Sequence, residues 1–178
     1  MKMKMKIKIV LAIGCLAIAL FGGCGRNDGP MKKEVEILPA FSATLPSVLT
    51  GKASNPGGKA YIDGLNKNKM DAIVTVKNED GFDINGWAFD DKTGAAPEPL
   101  FVELAPVKGG DKYYTEAKRS DREDVGRQFN KPELKKAGFF IKADLKSLPA
   151  GEYEINIIQV AKKNAILTAT GGKINKVN

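Results

Sequence analysis

Arg119, Asp121, Arg122 and Asp124 form the densest charged cluster in the chain. A planar guanidinium fork suits carboxylate and phosphate oxygens, so Arg119 and Arg122 are candidate contacts for an anionic ligand. The competing reading is local: acidic residues at a helix start complement its dipole, and the arginines pair with them. Trp87 is the only tryptophan. Its ring face could carry a sugar, but a large aromatic residue on a strand equally fits packing into the fold. Phe101, Tyr113 and Tyr114 invite the same two readings, and Phe101 joins Trp87 as a candidate ligand contact. Asp83, Asp90 and Asp91 offer oxygens, but their spacing does not match a calcium loop, so they read as solvated turns and no metal is expected. Asp90, Asp91 and Asp124 are the carboxylates available for glycoside hydrolysis, a reaction that needs two such groups at a defined separation.

Histidine is absent, which removes the usual general base near neutral pH and the commonest metal ligand. The two cysteines, Cys15 and Cys24, both lie near the N-terminus. A Ser-His-Asp or Cys-His arrangement and a His/Cys zinc site are therefore ruled out. No catalytic residue and no cofactor is expected.

The elements that must position these residues are strands. Residues 72–77 are short and rich in β-branched side chains, and residues 78–81 signal a turn. In residues 82–89, Phe82, Ile84, Gly86 and Ala88 share one face. Leu100, Val102 and Leu104 alternate in the same way, and residues 112–115 read as a further strand. Ser120 and Glu123 give a capping-box pattern, followed by Val125 and Phe129 on one face of a short helix. Pro132 starts a second turn and Gly138 ends it, with Val125, Phe129 and Leu134 directed to the core. Period-two alternation returns at Phe139, Ile141, Ala143 and Leu145, then at Tyr153, Ile155 and Ile157, with residues 165–170 as a last strand. About seven short strands with regular turns and one helical insertion predict an all-β sandwich over residues 60–178. Residues 24–59 contain Pro30, Pro39, Pro46 and Pro56 among Gly, Ser and Asn, and read as a flexible tether on which Phe41 could dock.

The N-terminus is cationic, then apolar, then small. Lys2, Lys4, Lys6 and Lys8 precede an uncharged run from Ile9 to Gly23, and Cys24 follows. This is the layout of an export signal over residues 1–23. The run of about 15 residues falls short of the roughly 20 needed for a membrane span. Removing the leader takes four of the 28 basic residues and none of the acidic ones, leaving 24 against 21 and a net charge of +3. Charges of both signs are interspersed, without the basic patch of a nucleic-acid footprint, so no nucleic-acid partner is expected.

Phe21-Gly22-Gly23-Cys24 resembles a bacterial lipobox, with Phe21 standing where Leu, Val or Ile is usual. The resemblance implies that the Cys24 thiol is acylated, palmitate among the acyl chains, and that Cys24 becomes the first residue of an envelope lipoprotein. Gly25 follows, where Asp would resemble an inner-membrane retention signal, so the outer membrane or periplasmic face is favoured.

Further along, Tyr61-Ile62-Asp63-Gly64-Leu65-Asn66, Ile84-Asn85-Gly86-Trp87-Ala88-Phe89-Asp90, the segment Arg122 to Phe129, Ala137-Gly138-Phe139 and Leu148-Pro149-Ala150-Gly151-Glu152-Tyr153 form a series. It resembles an immunoglobulin-like "GWA" β-sandwich module of bacterial envelope proteins, some of which are appended to membrane enzymes of surface-glycan assembly. The resemblance implies an immunoglobulin-like sandwich and an architectural role for Arg122 and Asp124, tying the insertion to the sheet. The expected function is a lipid-anchored, non-catalytic binding or structural protein whose partners are the membrane, through Cys24, and an envelope protein or a surface glycan. The alternatives are a carboxylate-based enzyme acting on envelope polysaccharide and an accessory subunit of a secretion or surface-assembly complex.

Overall fold

Among the described residues nine strands form, because nearly every alternating apolar run finds a partner. The structure is a computed structural model and describes residues 38–70 and 73–178. The leader and Cys24 lie outside the described residues. In chain order the strands are β1 (Ser54–Pro56), β2 (Lys59–Leu65), β3 (Val74–Val76), β4 (Phe82–Phe89), β5 (Leu100–Pro106), β6 (Tyr113–Ser120), β7 (Gly138–Ala143), β8 (Gly151–Val160) and β9 (Ala165–Lys176). A single helix, α1 (Glu123–Gln128), and the 3-10 helix Pro132–Lys136 fill the β6–β7 connection.

The strand order is β1-β9-β8-β5-β6-β7-β4-β2, with β3 also on β9. β6 joins the two halves. Its residues Tyr113 to Ala117 pair with β5, and Lys118 to Ser120 pair with β7. The sheet thus folds over at β6 into two layers, β2-β4-β7-β6 and β6-β5-β8-β9. This is the A-B-E-D and C-F-G order of an immunoglobulin sandwich. The Tyr153 hydroxyl donates to the Pro149 carbonyl at 2.9 Å, as the tyrosine corner of such folds does.

The core lies between the layers. Phe82, Ile84 and Ala88 of β4 face it, as their spacing predicts, and meet Ile141 and Phe139 of β7, Leu104 and Val102 of β5, and Ile155 and Ile157 of β8. Gly86 belongs to the same inward row. A Cβ there would sit 2.2 Å from the Tyr61 carbonyl oxygen, so only glycine lets β2 and β4 approach.

Three expectations need correction. The tether does not extend to residue 59. Among the described residues the segment before Lys59 already packs on the body: Phe41 is 1% exposed, edge-to-face against Phe82 with centroids 5.2 Å apart. β6 and β7 stay paired only over three residues and then diverge. Residues 39–42 fill that gap. Ser42 exchanges two backbone hydrogen bonds with Tyr114 (3.0 and 2.8 Å), and the Asp144 N–H donates to the Pro39 carbonyl. Further on, Leu49 is buried and β1 lies parallel to β9. Second, Ser120 is not the helix cap: it ends β6, and α1 begins at Glu123 with Arg122 at its N-cap. Third, Val125 and Leu134 are fully buried outside the main core. They form a satellite cluster with Phe89 and Ala137, against which Phe129 packs on the outer face of the β2-β4-β7 layer.

Candidate functional site

The four candidate ligand contacts do not converge. Phe101 is 7% exposed on the outer face of the β5-β8-β9 layer, where it packs with Leu49, Ile158 and Val160 under the segment preceding β1. Its reading as a ligand contact is overturned: the segment that covers it is the one its composition marked as a tether.

Arg119 points into one end of the sandwich. Its guanidinium donates to the carbonyls of Ala88 (2.9 Å), Ala137 (3.1 Å) and Pro97 (2.7 Å), and to Gln159 Oε1 (3.3 Å). It thereby ties β4, the start of β7 and the loop before β5 to β8. Burial pushes it down to about 10, against the pull of Glu98, and it stays protonated at neutral pH. With both terminal nitrogens engaged by the fold, Arg119 is a structural bolt and not an anion receptor.

Arg122 is engaged as well. Its Nε and Nη2 form a two-point fork with Asp124 (2.8 and 2.7 Å), while Nη1 pairs with Asp63. Asp63 is the residue at the bulge in the β2–β4 register, between Ile62 and Gly64. The bulge turns its carboxylate toward the insertion, and Arg122 ties α1 to the sheet edge. The hydrogen bonds it donates to Asp124, with those to Asp63 adding to them, hold the Arg122 guanidinium above its ordinary range. Asp124 is held down, chiefly by Arg122, to about 2 from 3.8. The native carboxylate therefore binds its proton more weakly than the unfolded one. Its contribution is present above pH 3.8 and is lost as pH falls toward 2. Thermal unfolding measured between about pH 4 and pH 2 is expected to fall more steeply for the wild type than for Asp124→Asn; parallel slopes would refute the linkage.

Trp87 is half-buried on the outer face of β4, not in the core between the layers. It stands in a row of near-parallel rings. Tyr61, its direct cross-strand partner, lies at 27° with centroids 6.3 Å apart, and Phe89 at 23° and 5.7 Å. Phe129 of the insertion closes edge-on against both Trp87 and Phe89, and Lys59 Nζ lies 5.4 Å over the Phe129 ring. Phe89 is 3% exposed and Tyr61 is 55% exposed, so the row emerges from the interior and ends in a free ring at the edge strand. Asn85, the next outward residue of β4, is exposed and lies opposite Gly64. The sequence marks Trp87 alone. Tyr61 joins it only through the β2–β4 register, and its signal was the alternation of Tyr61 with the inward Ile62.

The carboxylates are dispersed. Asp90 accepts from the Lys92 N–H and the Thr93 hydroxyl within its own turn, Asp91 accepts from the Gly58 N–H, and Asp124 is held by Arg122. Among the described residues no group of three His, Cys, Asp or Glu side chains is placed to hold a metal ion, and no helix is long and apolar enough to cross a membrane. A recess of about 590 Å³ runs from Asn66 to Asp83. Its polar groups serve the turns: the Asn66 amide bridges the Gly81 carbonyl and the Asp83 N–H, and Asp80 accepts from the Lys77 N–H.

Together these features define an all-β, immunoglobulin-like module with an aromatic row on one outer face. No family model matches the chain, and no curated protein matches it. Among solved structures, an endo-beta-1,4-mannanase from Thermotoga petrophila is similar at 13% identity over 68% of this chain, with a TM-score of 0.39. The match spans 20% of that chain, and a likeness this low carries neither fold nor activity across.

Proposed function

We propose that this chain is a lipid-anchored cell-envelope protein that presents a non-catalytic binding or structural β-sandwich. The observation that carries the reading is the leader: four lysines, an uncharged run and then Cys24, ahead of a body built of strands. Acylation of Cys24 holds the body at a membrane, since each buried methylene contributes about 0.8 kcal/mol and two or more chains anchor stably. Anchoring raises the local concentration of the module and offsets modest intrinsic affinity for its partner. A binding role is favoured over hydrolysis by the dispersal of Asp90, Asp91 and Asp124, each engaged in its own local contact.

The test is metabolic labelling of the full chain with a radioactive fatty acid. The wild type takes up label and partitions with membranes, and Cys24→Ala does neither. Label that persists in Cys24→Ala, or an unprocessed wild-type chain recovered from the cytosol, would overturn the reading.

A further inference from the structure

The outward tile of Tyr61, Trp87, Asn85 and Asp63 combines an apolar plate with polar edges. Tyr61 is the last ring of the row. One of its faces is backed by Trp87, which is itself held by Phe89 and Phe129. That contact restricts the ring on one side and lowers the side-chain entropy left to lose on binding. Tyr61 is 55% exposed, on a strand at the end of its layer. At the Asn85–Gly64 pair β2 carries no side chain, and the Asn68 carbonyl lies against that position, so the border of the plate there is polar. The exposed Asn85 amide, with donors and an acceptor, makes no side-chain hydrogen bond among the described residues and lies opposite Gly64 on the same outer face. Asp63 gives one carboxylate oxygen to Arg122 and has a second.

The charges around the plate select the ligand. On its own strand Tyr61 lies between Lys59, a cation, and Asp63, a carboxylate already neutralised by Arg122. A cationic ligand meets Lys59, and an anionic one meets Asp63 and Asp124. A flat apolar face edged by an amide and a carboxylate matches a neutral ring that is apolar on its C–H face and hydroxylated at its rim. The geometry points to a neutral saccharide, one pyranose seated on Tyr61 with its hydroxyls on Asn85 and Asp63. This deepens the binding role proposed above but does not depend on the anchor, so failure of one leaves the other standing.

Trp87, as the sole tryptophan, reports on the tile directly. Neutral oligomers of glucose, mannose, galactose and N-acetylglucosamine are titrated into the full chain, followed by Trp87 emission and by calorimetry in parallel. At least one neutral oligomer is expected to bind saturably. Tyr61→Ala is expected to weaken it by about tenfold or more, and Asn85→Ala by a few-fold. Uronic-acid and amino-sugar oligomers are expected to bind no better. Thermal unfolding of both variants checks that they are folded; both side chains are exposed, so little change is expected. The proposal is overturned if no neutral oligomer gives a saturable signal by either readout, if a folded Tyr61→Ala binds as the wild type does, or if charged oligomers are preferred.

Discussion

Replacing Phe41 by alanine is expected to lower the unfolding free energy by about 3–5 kcal/mol, the range for removing a buried phenylalanine from a packed core. The side chain is 1% exposed and meets Phe82 edge-on, and the backbone on both sides is bonded to Tyr114 and Asp144. Alanine would leave a cavity beside Phe82, in the gap where β6 and β7 diverge. Against a typical total of about 5–15 kcal/mol, that loss is large. Urea unfolding followed by Trp87 emission measures it as a shift in midpoint at unchanged slope. Leu45→Ala and Val48→Ala are the controls. Both residues lie in the same segment and are 46% and 42% exposed, so each change is expected within about 0.5 kcal/mol. A Phe41→Ala variant as stable as those two would return the segment to the status of a loose tether.

Arg119→Ala is expected to cost about 3 kcal/mol or more. The guanidinium is the shared donor for three main-chain carbonyls, and its removal takes a hydrogen bond from each of them and from Gln159 Oε1, although the Ala137 carbonyl keeps the Ala88 N–H. Lysine in its place keeps the charge but is a point donor on a flexible stem, so Arg119→Lys is expected to recover only part of the loss. The two readings of this residue separate cleanly. A ligand-binding arginine could be removed with little effect on folding, whereas the bolt cannot. An Arg119→Ala variant with wild-type urea midpoint would mean that the carbonyls find other donors.

The strands of the body were legible wherever one face is buried and the other solvated. β4 is the clearest case: Phe82, Ile84, Gly86 and Ala88 point inward as their spacing predicts. Where burial is carried by single residues the pattern is silent. From Ala40 to Pro56 only Phe41 and Leu49 are buried, separated by Pro, Ser and Thr, and all three residues of β1 are exposed. Nothing periodic marks such a segment, because what fixes it is backbone pairing with strands more than 70 residues away. The pattern predicts a last strand over residues 165–170, and β9 continues to Lys176. A register shift opposite Glu154–Asn156 and the Gly171-Gly172 pair interrupt the alternation there, although Ile174 is fully buried.

The site was legible in half its parts. The charged cluster was correctly paired to Asp124 in outline, since Arg122 and Asp124 are close in sequence. Its second partner, Asp63, lies 59 residues away and is brought in by a bulge that no local signal announces. Arg119 and Arg122 carry the same side chain three positions apart, yet one turns into the sandwich and the other lies across its outer face. That difference comes from where the strand stops: Arg119 is still paired with β7 near the end of β6, whereas Arg122 lies past Ser120 at the N-cap of α1, a property of the pairing and not of residue type.

The wedge at residues 39–42 also sets a leash length. Fifteen peptide steps separate Cys24 from Pro39, the first of the described residues whose backbone is bonded to the body. Fully stretched, they cover at most about 50 Å; a free run to Lys59 would have reached about 120 Å. If Cys24 is acylated as proposed, that span confines the module to a thin zone just above the lipid headgroups. Any polymer it grips there would be held by its membrane-proximal end.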